Sequence, residues 1–447
     1  MSHDPAGASP RISHARVWQL ALPIIVSNAT VPLLGAVDTA VIGHLPGAHY
    51  LGGVAVGATI FNFLYWSSNF LRFGTSGFAA QAFGAQDGEE TRASLARALL
   101  LALGIGLAIL LLSQPILWLG LWAIDASAEV ETQAALYFQI RALSAPAALG
   151  HFALNGWLIG MHRTRAVLLM QLATNGSNAG LTLLFVLGFG WQVPGAALGT
   201  VLAEYLGLAY GLHLCRPAVA ALPGRLSWGA VLRADRLLRT SRVNFDIFLR
   251  TLCLVVAFSL FTAEGARAGD ATLAANAILM QLLHIATYAL DGFASAAEAL
   301  VGAAIGQRDR AAAGRAVRLA ALWGLGTACG FSLLLGLGGM LAVQLFTSVA
   351  EVREPAAVYL PWVVVLPPLG VWAYLFDGVF AGASRSADMR NTMALALAIF
   401  LAALYGLPDW LGNHGLWLAL ALFLGVRGLG LAVRFPALLR AIPPATS

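Results

Sequence analysis

The sequence predicts an all-α integral membrane protein of twelve transmembrane helices, in two six-helix bundles related by a pseudo-twofold axis along the membrane normal. Three observations predict it. Apolar stretches of about 20 residues, the length that crosses ~30 Å of hydrocarbon, recur along the whole chain. Arginine-rich connections alternate with nearly arginine-free ones, the mark of a multi-pass topology. The chain also aligns with itself at one fixed offset. Of its 447 residues 59% are hydrophobic and only 11% charged, and the mean hydropathy is +0.78. A soluble chain carries roughly a quarter charged residues.

The apolar stretches lie near 17–41, 52–81, 94–121, 133–160, 166–188, 195–214, 243–263, 273–304, 317–346, 356–382, 391–408 and 414–433. One set of connections holds Arg11, Arg16, Arg92, Arg97, Arg163 and Arg165. It goes on with Arg216, Arg225, Arg233, Arg236, Arg239, Arg242, Arg308, Arg310, Arg315, Arg318, Arg385, Arg390, Arg434 and Arg440. The opposite set holds only Arg267 and Arg353, and Arg72, Arg141, Arg250 and Arg427 fall inside apolar stretches. By the positive-inside rule both termini and the 215–242 connection are expected in the cytoplasm, in a multi-pass protein of the inner (plasma) membrane. The formal charge of +5 is thereby a topology signal, and no nucleic-acid partner is expected. The first ten residues are polar with no apolar run, so the first span is expected to direct insertion itself.

At an offset of 222 residues Gly43 falls on Gly265, Gly84 on Gly306, Asp87 on Asp309, Tyr137 on Tyr359, Pro146 on Pro368 and Arg163 on Arg385. The segment from Asn155 to Gly160 falls on that from Asp377 to Gly382, glycines in register. Apolar sequences match by chance, but chance does not align glycines, a proline and loop charges together. Each copy holds six stretches, an even number, so both enter from the same side as a parallel repeat. The expected domains are residues 1–214, a linker 215–242, and residues 243–447.

Several chemistries are excluded. All 26 basic residues are arginine, so no Walker A lysine can hold a nucleotide phosphate and no Schiff base can form. HExxH, GxSxG and CxxC patterns are absent, and the three cysteines stand far apart. No enzyme, metal site, catalytic residue or cofactor is expected.

Charges within a bilayer are costly and mark a site or a paired contact. Six acids fall inside apolar stretches: Asp38, Glu204, Asp246, Asp291, Glu298 and Asp377. Asp246 and Arg250, four apart on one helix, suit a structural ion pair. Asp291, Glu298 and Asp377 correspond in the first copy to Asn69, Ser76 and Asn155. A packing role common to both copies would not require that change from neutral to acidic. Asp291 and Glu298, seven apart, share a helix face, and with Asp377 form a candidate proton or substrate site. In the first copy Asp38 follows Pro23 and Pro32, which permit bending. Asn175, Asn178 and Thr182 form one stripe, and Thr200 and Glu204 stand at i, i+4. An acid, amides and hydroxyls inside one bundle suit a proton or small-cation site. The GxxxG spacings Gly156/Gly160 and Gly378/Gly382 read as close helix packing, and His151 and His284 as isolated core histidines.

The stretch from Leu20 to Leu45, with Asp38-Thr-Ala-Val-Ile-Gly43, resembles the opening helix of MATE transporters. The segment Asp291-Gly-Phe-Ala-Ser-Ala-Ala-Glu298 resembles the DinF-like branch, as does Phe185-Val186 followed by Gly195-Ala-Ala-Leu-Gly-Thr200. The resemblance implies a secondary antiporter exporting small cationic amphipathic compounds, a multidrug efflux activity, by alternating access. It implies Asp38 as the acid that binds the coupling ion, Asn178 and Thr200 as its companions, and Asp377 as a second-lobe acid. Many members carry an aspartate where this chain has Thr182. Losing that carboxylate weakens a sodium site, so protons are the expected coupling ion. The other expected partners are membrane lipids, and the expected state is a monomer. Two rival readings are a lipid-linked glycan flippase, which calls for a basic cleft where acids here outnumber arginines six to four, and a non-transporting receptor or scaffold.

Overall fold

A backbone surrounded by lipid must satisfy its own hydrogen bonds, and apolar runs of this length do so as helices. The computed structural model describes residues 12–45 and 47–444, the side chains at 33, 34, 36, 38 and 48 lying outside the described residues. In chain order the helices begin with α1 (His14–Gly43), α2 (Ala48–Ser67), α3 (Phe70–Gly84), α4 (Gly88–Leu111), α5 (Ser113–Ile124) and α6 (Ala128–Ala142). Then come α7 (Ala145–Gly160), α8 (Thr164–Leu183) with a π turn at Leu184–Gly188, α9 (Gln192–Ala220), α10 (Trp228–Val231) and α11 (Ala234–Arg267). The last six are α12 (Asp270–Gly306), α13 (Arg310–Phe346), α14 (Ala350–Gly382), α15 (Ser386–Gly406), α16 (Pro408–Leu411) and α17 (Asn413–Arg440).

The chain divides into two compact units. One comprises Val26–Ala79 and Asp87–Leu252; within it α8 packs on α9, α2 on α6, and α4 on α7. The other comprises the described part of Met1–Ile25, Ala80–Gln86 and Cys253–Ser447. There α14 is the central helix, packed on α12, α13 and α17. Among the described residues eight helices are long and apolar enough to cross a membrane: α4, α9, α11, α12, α13, α14, α15 and α17. On α13 the side chains of Leu333, Leu337, Leu341 and Leu345 are all exposed and four apart, a stripe suited to lipid.

Three stretches that read as unbroken in sequence are each two helices. The 94–121 run breaks at Leu112, three residues before Pro115, whose ring nitrogen has no hydrogen to give. The 52–81 run breaks at Ser68, whose hydroxyl donates to the Leu64 carbonyl at 2.8 Å. The 133–160 run breaks before Pro146; Ser144 donates to the Arg141 carbonyl at 2.8 Å and accepts from the Arg141 guanidinium at 2.7 Å. The second-copy counterparts α12, α13 and α14 run through the equivalent positions without interruption. Hydropathy does not register a break one or two residues wide, which is why the sequence shows single spans.

The repeat is written into the backbone. Gln86 and Arg308, 222 apart, both sit at φ 57°. His162 and Ser384, at the same spacing, sit at φ 59° and 53°. Asp87 caps α4 by accepting from the Glu90 amide at 2.9 Å, and Asp309 caps α13 by accepting from the Ala312 amide at 2.8 Å. A methyl on Gly156 would overlap the Arg72 carbonyl oxygen, and one on Gly378 would overlap that of Ala294, the position 222 after Arg72. In each copy a glycine lets two helix backbones touch, as the GxxxG spacing led us to expect.

Gly378→Ala should therefore push α14 off α12, destabilising the protein by about 1–3 kcal/mol. Gly326→Ala, where a methyl meets open space, should be neutral. Thermal unfolding of the purified variants checks this; equal melting temperatures would remove the close approach from the packing.

Candidate functional site

Within the first unit α1, α2, α6, α7, α8 and α9 enclose a cavity of about 520 Å³. Its wall includes Asn175, Asn178, Thr200 and Glu204, so four residues singled out from sequence spacing share one chamber. The α8 stripe faces inward because its polar positions recur at helical spacing. Gln171 Nε2 donates to Asn175 Oδ1 at 2.9 Å, and Asn175 Nδ2 donates to Thr30 Oγ1 at 2.8 Å. One turn on, Thr182 Oγ1 donates to Asn178 Oδ1 at 2.9 Å. Thr182 therefore orients an amide where a carboxylate would accept. Thr200 Oγ1 donates to its own helix at Ala196 O, 2.9 Å away. Asp38 lies on α1 between Gly35 and Thr39, both lining residues, but its side chain is outside the described residues.

Two ionisable groups join the site that sequence reading did not place there. His151, read as isolated, holds Nε2 2.9 Å from the Glu204 carbonyl oxygen and 3.3 Å from Glu204 Oε2. Both neighbours are acceptors, which assigns the Nε2 proton to this contact and makes Nδ1 the nitrogen that can take another. Both side chains are buried. His151 fits there because α9 presents Gly207, where a methyl would overlap Thr174 and press on the imidazole. Arg141 also lines the chamber, its guanidinium 4.2 Å from the centre of the Phe61 ring and held by Ser144 at the helix break. His151 and Glu204 are 53 residues apart, and no local spacing announces their meeting. Asn155 contributes a buried Oδ1 with no hydrogen-bond partner among the described residues.

The second unit holds the other acids. Asp377 Oδ2 accepts from Arg427 Nη2 at 2.8 Å, both side chains buried. The Arg427 guanidinium also lies 5.3 Å from the Phe423 ring centre. Glu298 is fully buried on α12 and Asp291 half-buried seven residues earlier. Asp246 and Arg250 are both buried at i, i+4 on α11, in the first unit. A larger groove of about 650 Å³ between α14 and α17 is walled by Leu369, Trp372, Leu422 and Leu429, with no ionisable side chain among its lining residues. Such a wall suits lipid tails and offers nothing to orient a charged ligand. The chamber that brings a carboxylate, a histidine and amides together is the better candidate.

The MatE family model matches residues 23–184 and again 247–406, once in each copy of the repeat. The DNA damage-inducible protein F of Escherichia coli (strain K12) is 46% identical over 425 residues, covering 94% of this chain and 91% of that protein. A MOP superfamily transporter from Pyrococcus furiosus superposes with a TM-score of 0.87 at 19% identity, over 95% of this chain and 96% of that one. A multidrug resistance MATE family transporter in an outward-facing conformation gives 0.85 at 19% identity, over 96% and 97%. The helical fold is thus that of the MATE and MOP transporters. Two matched copies and a relative nearly half identical along almost the whole chain place this membrane protein, a transporter and not an enzyme, in the MatE family.

Proposed function

We propose that the protein is a secondary antiporter that exports small cationic amphipathic compounds in exchange for protons by alternating access. In this reading residues 1–214 and 243–447 form two six-helix lobes joined by the cytoplasmic linker 215–242. The chain spans the inner membrane twelve times as a monomer, with both termini inside. The observation that carries the proposal is the buried Glu204–His151 contact on the wall of the polar chamber. With His151 neutral, the Glu204 carboxylate and the Arg141 guanidinium put one charge of each sign on the chamber wall, and the carboxylate is the group that attracts an organic cation. A proton taken up by His151 or by the carboxylate cancels that charge. Proton and substrate therefore compete for one charge state, the thermodynamic requirement for exchange. The amides of Asn175 and Asn178 and the hydroxyl of Thr200 supply neutral dipoles that serve either occupant. Asp38 joins this group in the proposal, and Asp291, Glu298 and Asp377 form the second-lobe counterpart. The Asp246–Arg250 pair has a structural role. With Thr182 in place of an acid, the chamber offers a sodium ion few charged oxygens, which favours protons.

In liposomes holding purified protein, an imposed proton gradient should drive uptake of a cationic dye without ATP, and a sodium gradient alone should not. Sodium-driven uptake at zero proton gradient would overturn the ion assignment and leave the transporter reading standing.

Glu204→Gln and Asp38→Asn mimic permanently protonated acids, so both should insert and fold yet lose most of the pH dependence of efflux. Efflux measured across a pH series decides the matter; a normal profile in both variants would remove these acids from coupling.

Arg427→Leu should destabilise the protein by about 3–5 kcal/mol, because it takes the guanidinium away from a buried carboxylate. Asp377→Asn combined with Arg427→Leu should recover much of that loss while efflux stays impaired. Melting temperatures and efflux rates of the two variants check this, and full efflux in the double variant would make the pair purely structural.

A further inference from the structure

The segment from Arg216 to Arg242 carries six arginines against a single acid, Asp235. That acid is already engaged, 3.1 Å from Arg233 Nη2 and 3.7 Å from Arg236 Nε. Arg239 lies with its guanidinium 5.3 Å from the Phe78 ring centre. Arg216, Arg225 and Arg242 are exposed.

Between these charges stand large apolar side chains that the protein does not cover. Trp228 is 65% exposed, Leu232 60%, Leu238 72% and Phe245 59%. They are not the tips of a loose loop. Arg92 donates to the carbonyls of Val219, Leu222 and Pro223 at 3.0, 2.6 and 2.6 Å, and Ser227 donates to Glu89 at 2.5 Å. Val231 is fully buried. The inner side of the segment is thus fixed on α4, and its outer side alternates Trp, Leu and Arg. The pattern continues up α11, where Leu238, Arg242 and Phe245 form one stripe at i, i+4 and i+7. Arg242 stands about 4.5 Å along the axis from Phe245 and about 6 Å from Leu238.

We propose that this face is a docking surface for anionic phospholipids of the cytoplasmic leaflet, with Trp228, Leu232 and Leu238 seated at headgroup depth and Arg225 and Arg242 on lipid phosphates. The proposal rests on the orientation inferred from arginine distribution and goes beyond the transport reading. Charge complementarity selects the occupant. A basic strip interleaved with aromatic and aliphatic groups, continuous with a helix that enters the bilayer, matches an anionic interface in both charge and polarity profile. Guanidinium groups add the bidentate geometry that phosphate accepts.

The test uses the full-length protein in vesicles of phosphatidylcholine, alone or with one-third phosphatidylglycerol. The emission lost in Trp228→Phe isolates the Trp228 signal. It should be quenched by brominated phosphatidylglycerol more strongly than by brominated phosphatidylcholine. Equal quenching by the two lipids, or quenching only by aqueous iodide, would overturn the proposal. Arg225→Gln combined with Arg242→Gln should weaken the phosphatidylglycerol preference, read as the ratio of the two lipids retained on the purified protein, by roughly 25-fold, at about fivefold per arginine. The matching pair of lysine substitutions should keep most of it. An unchanged ratio in the glutamine variant would also overturn the proposal. Loss of dye efflux in every lipid would count against the exporter reading alone, since neither measurement here depends on transport.

Discussion

Inside a bilayer no water is available to rescue an open backbone amide, and this single constraint organises the molecule. A continuous helix meets it without assistance. A broken one can recruit side chains at the break, as the breaks at Ser68 and at Leu143–Ser144 do, in the Ser68 hydroxyl and the Arg141–Ser144 exchange. Polar groups recruited to mend a backbone then become available to a cavity. Arg141 is both the partner of Ser144 and part of the chamber wall. The candidate chamber lies among the helices of the first copy that are interrupted, and the cause of the interruptions is local sequence.

The two copies divide the work differently on one backbone plan. The left-handed residues before α4, α8, α13 and α15 recur at one spacing, as do the aspartate caps and the glycine contacts. These features set where the chain turns and how closely helices approach, so a change in either copy would alter the framework. Side chains within helices face a weaker demand. There the first copy has Asn69, Ser76 and Asn155, while the second has Asp291, Glu298 and Asp377 inside unbroken helices. Asp377 finds its partner on another helix, in Arg427 of α17.

What was legible in the sequence follows from range. Apolar length, arginine distribution and the 222-residue offset are properties of long segments, and they foretold helices and close glycine contacts. The inward stripe of Asn175 and Asn178 was legible because i, i+3 spacing is local to one helix. Contacts between helices were not. The meeting of His151 with Glu204 and that of Asp377 with Arg427 join residues 53 and 50 apart. No periodicity links such positions, so His151 read as an isolated core residue and Arg427 only as a charge inside an apolar stretch. The breaks were hidden for the opposite reason, being too short to disturb a hydropathy average.

The absence of lysine has a further consequence for a membrane protein. A lysine drawn toward headgroups can surrender its proton as desolvation disfavours the ammonium, whereas a guanidinium keeps its charge under any condition a cell meets. The basic charges of this chain therefore do not respond to alkalinity. Acid–base sensitivity is left to its carboxylates, histidines and a few weaker acids, and the scaffold that holds them keeps its positive charge throughout.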